Sequence, residues 1–308
     1  MGSVGVSPPN IDEVESISNP DRTVGGAILL DGNRLRDATV ASIAARIQQA
    51  GSPPVCLATV LVGSDGPSGV YVRMKHRKAT EAGLVSLGVE LPDTASQAEV
   101  EAAVSGLVAD PAVHGILVQL PLPGHLDPEP VLAMLPPAKD VDGLTERSLG
   151  RLVRDLPGHV PCTPLGVMRL IEAYGIATAG RRAVVVGRST LVGLPQVLLL
   201  GRRGVDTTVT LAHSRTADLA SVCREADILI AAAGQAHMIT AEHVKPGATV
   251  IDVGVSRSDE GIVGDVDFDD VQAIAGAITP MPGGTGPMTI ACLLENTVNA
   301  AVMQGVTV

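Results

Sequence analysis

From Ile28 onward, short apolar runs alternate with stretches in which apolar residues recur every three or four positions. Such alternation is the pattern of βαβ units around parallel sheets. Arg34 to Ile47 reads as a helix with Leu35, Val40, Ile43 and Ile47 on one stripe, and Val55 to Val62 as a strand. Ser68 to Ala82 follows as a helix, Leu84 to Leu91 as a weakly alternating strand, and Ser96 to Val108 as a helix with Val100, Val104 and Leu107 inward. Gly115 to Leu120 is a buried strand stopped by Pro121-Leu122-Pro123-Gly124.

The pattern restarts near Pro161-Cys162-Thr163-Pro164, where Thr163 is expected to cap a helix with Pro164 at its first position and Val167, Leu170 and Ile171 inward. A second series comprises strand Ala183 to Val186, a helix from about Leu194, strand Thr208 to Leu211 and helix Ala217 to Glu225. Strands Asp227 to Ala233 and Ala248 to Val253 complete a compact dinucleotide-binding pattern. The last amphipathic segment, Thr289 to Val302, points Ile290, Leu293, Leu294, Val298 and Val302 inward and is expected to return to the first domain. The expectation is therefore an α/β protein of two domains with a cleft between them. Residues 27–162 plus 288–308 form a βαβ catalytic domain, 163–287 form a Rossmann-type domain, and 1–26, rich in Gly, Ser, Pro and Asp, form a disordered leader.

Composition narrows the function. A chain of 308 residues can hold two cores. Hydrophobic residues make up 45% but aromatic ones only 1%, namely Tyr71, Tyr174 and Phe268, so the cores are aliphatic and a nucleic-acid surface of stacked rings is excluded. A net charge of −11 argues against polyanion partners generally. Cys56, Cys162, Cys223 and Cys292 form no CxxC pair, so they read as buried thiols of a reducing compartment without disulfide or metal site. Neither an apolar run of bilayer length nor a signal-peptide pattern occurs, and a cytoplasmic protein without membrane partners is expected.

Candidate chemistry lies at the ends of the strands. In Ser68 to Ala79 the ring of Tyr71 and the amine of Lys75 share a helix face one turn apart, a ring to stack on a substrate beside a proton donor or acceptor. The plainer alternative is a solvated basic face. Gln119, at the end of a buried strand, can orient a lysine amine. Lys139-Asp140-Val141-Asp142-Gly143 puts two acids on a turn; one can accept two hydrogen bonds from an amidine-like heterocycle edge, or the pair can serve an Asx-turn. Thr279 to Thr289, rich in Gly and Pro, suits backbone packed closely on a ligand.

Val184-Val185-Val186-Gly187-Arg188-Ser189 leads from a strand into a turn, and Val192-Gly193-Leu194-Pro195 opens a helix able to face a pyrophosphate. The next strand ends in Ala212-His213-Ser214-Arg215, without the acid that holds the ribose of NAD. Arg188 and Ser214 can instead hold the phosphate of NADP, the plainer alternative being a surface arginine and an ordinary cap.

Together these segments closely resemble the bifunctional methylenetetrahydrofolate dehydrogenase/cyclohydrolase family. The matches are Tyr-Val-x-x-Lys at 71–75, Val-Gln-Leu-Pro-Leu-Pro at 118–123, Lys-Asp-Val-Asp-Gly at 139–143, Pro-Cys-Thr-Pro at 161–164, Val-Gly-Arg-Ser at 186–189 and the Gly/Pro segment at 279–289, in family order. The resemblance implies a catalytic Lys75 positioned by Gln119, Tyr71 stacked on the folate and Asp142 on the pterin edge. It implies substrate contacts at Ser68, Leu120, Pro121, Pro282, Gly283 and Gly284. Arg188 and Ser214 map to the 2′-phosphate, with Thr163, Gly187, Ser189, Val192, Gly193 and Val255 along the dinucleotide. It further implies oxidation of 5,10-methylenetetrahydrofolate with NADP, hydrolysis of the methenyl product and a homodimer formed through the cofactor domain. Three positions depart from the family pattern: Gly69 replaces a longer polar residue, Thr285 an apolar one, and Ser148 an asparagine. Alternatives are a family member with one activity or NAD linkage, a dehydrogenase of amino acids or shikimate-like acids, and a nucleotide-sensing module.

Overall fold

The computed structural model describes residues 16–63, 67–258 and 261–308. In chain order the elements are β1 (Ile28–Leu29), α1 (Gly32–Gln49), β2 (Cys56–Val62), α2 (Pro67–Glu81), β3 (Val85–Leu91), α3 (Gln97–Ala109), β4 (Gly115–Val118), α4 (Pro128–Ala133) and α5 (Glu146–Val153). They continue with α6 (Cys162–Ala173), β5 (Arg182–Val186), α7 (Gly193–Gly201), β6 (Thr208–Ala212), α8 (Leu219–Cys223), β7 (Ile228–Ala231) and β8 (Thr249–Asp252). Last come β9 (Ser256–Ser258), β10 (Gly261–Val263), α9 (Phe268–Val271), β11 (Ala277–Ile278) and α10 (Thr285–Met303). Among the described residues no helix is long and apolar enough to cross a membrane.

The chain divides into two units, one made of Ala38–Cys162 and Ile290–Val308, the other of Thr163–Thr289 with the described residues up to Asp37. In the first unit β2, buried along its whole length, is the centre of a parallel sheet ordered β3-β2-β4. Burial on both faces explains why its sequence is apolar at every position but Thr59. Cys56, Ala58, Val60 and Val62 share one face and pack with Val100, Val104 and Leu107 of α3, as the period of two in a strand and of 3.6 in a helix requires. On the other face Thr59 reaches α2: its hydroxyl lies 2.8 Å from His76 Nε2, while His76 Nδ1 lies 2.5 Å from Ser86 Oγ of β3. Gly88 leaves room for that ring, since a Cβ there would sit 3.2 Å from Nε2. The His76 strut fixes the helix that carries Tyr71 and Lys75. Lys139 is also structural: its ammonium donates to the carbonyls of Val108 at 3.0 Å and Asp110 at 2.7 Å, satisfying orphan acceptors where α3 ends.

The second unit is a six-stranded, wholly parallel sheet ordered β1-β11-β8-β7-β5-β6. Its two faces are covered by separate aliphatic clusters, one centred on Val184, Leu229 and Val250, the other on Val185, Ile230 and Ile251.

Several expectations change. Residues 27–37 group with the second unit because β1 pairs with β11, Ile28 opposite Ala277, a partnership between distant segments. Residues 1–15 of the expected leader lie outside the described residues, while 16–26 have defined partners: Ile17 N–H donates to Ala173 O, and Leu29 N–H to Asp21 O. Thr163 is not an N-cap, because α6 already starts at Cys162; the Thr163 hydroxyl pairs with that of Thr289 at 3.0 Å. Helix α8 is shorter than expected and is capped by Asp218, whose carboxylate accepts the Ser221 N–H. Helix α10 begins four residues early, at Thr285, because Pro287 falls in its first turn, where a missing N–H costs nothing. Val302, near the end of α10, is 44% exposed instead of inward.

Candidate active site

The sequence places Lys75 on α2 and Gln119 just past β4, and the sheet brings them together. Lys75 Nζ donates to Gln119 Oε1 at 2.9 Å, and Gln119 Nε2 donates to Leu120 O at 2.6 Å. The Gln119 backbone is held by its own N–H to Val60 O at 2.9 Å, so the amide can turn only about its side-chain bonds. Lys75 is 8% exposed. Burial lowers its pKa, opposed first by the charge of Asp142 and then by Cys162. Asp142 itself is pushed up by burial, with Lys75 pulling it back.

The turn at 139–143 resolves which acid is free. The Asp140 carboxylate accepts the N–H groups of Gly143, Leu144 and Thr145 and the Ser148 hydroxyl at 2.6 Å, so Asp140 builds the turn. Asp142 takes none of these amides; the charge of Lys75 and a hydrogen bond with the Cys162 thiol act on it. Ser148, where an asparagine was expected, keeps a donor on Asp140. Cys162, read from sequence only as a buried thiol, belongs to this group as well: its Sγ donates to Val141 O at 3.3 Å, and burial raises its pKa well above the ordinary value. Tyr71 lies one turn before Lys75 on α2 and is half-buried; Leu120 and Pro121 follow Gln119, Leu120 half-buried and Pro121 exposed. Ser68 is in the first turn of α2, and its side chain lies outside the described residues.

In the second unit Gly187 has φ +128, and a Cβ there would overlap the carbonyl of Ala232; a Cβ at Gly193 would overlap the carbonyl of Gly187. Both glycines are therefore required by the turn between β5 and α7. Ser189 Oγ accepts the Val192 N–H at 3.2 Å, and Val192, at the N-cap of α7, makes no side-chain cap. Arg188 and Ser214 are exposed at the ends of β5 and β6, with no carboxylate at the end of β6, a set that fits a phosphorylated ribose. Val255 is 50% exposed just before β9. Pro282 is exposed, whereas Gly283 and Gly284 are buried against the chain itself: Gly32 N–H donates to Gly283 O at 2.8 Å. Part of the close packing of this Gly/Pro segment is therefore made with the start of α1. The Thr285 hydroxyl is satisfied by Asp252 O at 2.9 Å.

Two buried acids near the strand ends escaped the sequence reading. Asp252 accepts the N–H groups of Gly254, Asp265 and Val266, while Asp265 Oδ2 accepts those of Ala233 and Gly234. Acids within IDVG and GDVD, both flanked by apolar residues, were the available signal. Burial first, and Asp265 beside it, push Asp252 from an ordinary 3.8 up to about 6, against the pull of the three amides. The folded state then binds the proton more tightly than the unfolded chain, so this group's contribution falls as pH rises from about 4 to about 6 and is flat above. Its full size is roughly 3 kcal/mol. Thermal midpoints of the wild type and Asp252→Asn, compared across that window, are expected to converge as pH falls and separate as it rises, the variant being favoured at the upper end. A constant difference would refute the assignment.

Comparison with known proteins matches both halves of the chain. The model of the tetrahydrofolate dehydrogenase/cyclohydrolase catalytic domain matches residues 30–142, and that of the family's NAD(P)-binding domain matches 161–305. A bifunctional FolD protein of Acidiphilium cryptum is 54% identical over 279 residues, covering 90% of this chain and 99% of the relative. The bifunctional FolD methylenetetrahydrofolate dehydrogenase/cyclohydrolase of Campylobacter jejuni superposes with a TM-score of 0.87 at 42% identity, covering 90% of this chain and 99% of that one. The Trypanosoma brucei methylenetetrahydrofolate dehydrogenase-cyclohydrolase, solved with NADP and an inhibitor, gives 0.85 at 37%, covering 90% and 98%. With both halves matched in order, this chain belongs to the tetrahydrofolate dehydrogenase/cyclohydrolase family and is an enzyme of that family.

Proposed function

We propose that this chain oxidises 5,10-methylenetetrahydrofolate to the methenyl form with NADP and hydrolyses that product to 10-formyltetrahydrofolate. Family membership supports the pair of activities. The observation that carries the hydrolysis is the buried Lys75 amine hydrogen-bonded to Gln119 at 2.9 Å.

When bound, NADP accepts the hydride that leaves the one-carbon bridge. The methenyl cation left behind is delocalised over two nitrogens, so the chain need not supply a strong base. Its task is orientation: Tyr71 stacks on the pterin, Asp142 accepts from the amidine edge, and Ser68, Leu120 and Pro121 line the site. Hydrolysis does need protons moved. Water adds to the methenyl carbon, the neutral Lys75 amine takes a proton from it, and a proton passes to N5 as the carbon–N5 bond opens. Desolvation makes the neutral amine accessible, and Gln119 orients it.

Gly187 and Gly193 give clearance for the pyrophosphate, Ser189 and Val192 flank it, and Thr163 and Val255 lie along the dinucleotide. Arg188 and Ser214 hold the 2′-phosphate; the choice of NADP as cofactor is supported by the Trypanosoma brucei relative solved with it. The enzyme works as a homodimer in the cytoplasm, and its product serves formyl transfer, including that of purine biosynthesis.

Cofactor choice supplies the test. A charge-assisted bond of about 1.5–3 kcal/mol is lost in Arg188→Ala, so the KM for NADP should rise about 10- to 100-fold. The rate with NAD should be unaffected. An unchanged KM for NADP would move the phosphate away from Arg188.

A further inference from the structure

Asn296 sits on the inward face of α10, 4% exposed, where an aliphatic residue would complete the stripe set by Leu293 and Leu294. Burying an amide needs a reason, because an unpaired one is costly. Here its two hydrogens are both used: Nδ2 donates to Val141 O at 2.8 Å and to Val160 O at 3.0 Å, with Cys162 Sγ 3.6 Å away. Those carbonyls belong to the two segments that present Asp142 and Cys162. The segments also press together directly, since a Cβ on Gly143 would fall 2.7 Å from the backbone nitrogen of Pro161. In a chain folded only for stability, a leucine at 296 and slightly separated loops would serve.

The geometry points to Asn296 as a positioning residue for hydrolysis: its amide clamps the turn of Asp142 to the start of α6, setting both side chains against the Lys75 ammonium. The inference rests on the role proposed above for Lys75. Asp142 and Cys162 are the charged or ionisable groups that act on that amine, with Asp140 behind the first and Cys292 behind the second. Release of the clamp changes the distance of each to the amine, and with it the pH at which the amine loses its proton.

The test is Asn296→Leu, which keeps the branched outline of the side chain, though it is bulkier, and removes the donor. Methenyl hydrolysis should lose about 10- to 100-fold in kcat, the scale of a misplaced catalytic group. The midpoint of its acid limb should move, and hydrolysis should lose more than dehydrogenase kcat, which shares only the Asp142 contact with the folate. Thr297→Val is the control, because the Thr297 hydroxyl, among the described residues, bonds within α10 to Leu293 O at 2.8 Å; it should lower the thermal midpoint and leave the pH profile in place. If Asn296→Leu fails to fold, Asn296→Ser, with one donor hydrogen, carries the same comparison. A variant that loses both activities in proportion, with an unmoved pH midpoint, overturns the clamp. Lys75→Met separates the two levels. Wild-type hydrolysis in that variant refutes the role of Lys75, whereas its loss alongside an unmoved Asn296 profile refutes the clamp alone.

Discussion

Lys75→Met should abolish methenyl hydrolysis and leave measurable dehydrogenase turnover. Methionine has nearly the length of lysine and suits the buried site, so packing around α2 is preserved. What disappears is the amine that Gln119 orients at 2.9 Å. General acid–base groups contribute about 10²- to 10⁴-fold, and loss at the upper end puts hydrolysis near background. Hydride transfer asks for no base, so its kcat should fall far less. Supplied with 5,10-methylenetetrahydrofolate and NADP, the variant should accumulate the methenyl compound, visible by absorbance while NADPH forms. Equal loss of both activities would refute this division of labour.

The second large effect is the opposite one. Gly187→Ala should remove dehydrogenase activity and NADP binding while the variant still hydrolyses methenyltetrahydrofolate supplied directly. The reason is steric. The new Cβ overlaps Ala232 O, and φ +128 is a backbone conformation that alanine rarely adopts. Strain of about 1–3 kcal/mol at that residue is relieved only by shifting the turn between β5 and α7. The turn cannot move into the sheet, because Gly187 N–H is bonded to Ala212 O at 2.9 Å. It must move toward the space where the pyrophosphate is expected. Calorimetry with NADP on protein shown to be folded reads the outcome. Affinity equal to the wild type would mean that this turn does not cradle the cofactor.

The long elements were legible because their periodicity is strong. The stripes of α1 and α3 bury the expected residues, and β2 reads as an apolar run broken only by Thr59 because both its faces are covered. Element ends were less legible. Helix α6 starts at Cys162, one residue before the expected cap, whose hydroxyl pairs with Thr289 instead, and β1 has only two residues whose strand character comes from β11. In the site, residue types announced Lys75 and Gln119. The choice of Asp142 over Asp140 came from the family resemblance alone, since in physical terms it depends on which carboxylate takes the turn's amides. Asn296 was hidden for a related reason: its partners are backbone carbonyls, which carry no signature in sequence.

Both activities in one chain are tested most directly by mixing the purified protein with 5,10-methylenetetrahydrofolate and either NADP or NAD, following reduced cofactor and methenyl absorbance separately. NADPH forming in preference to NADH, without methenyl accumulation, is the predicted result. Folded protein that reduces neither dinucleotide would contradict it.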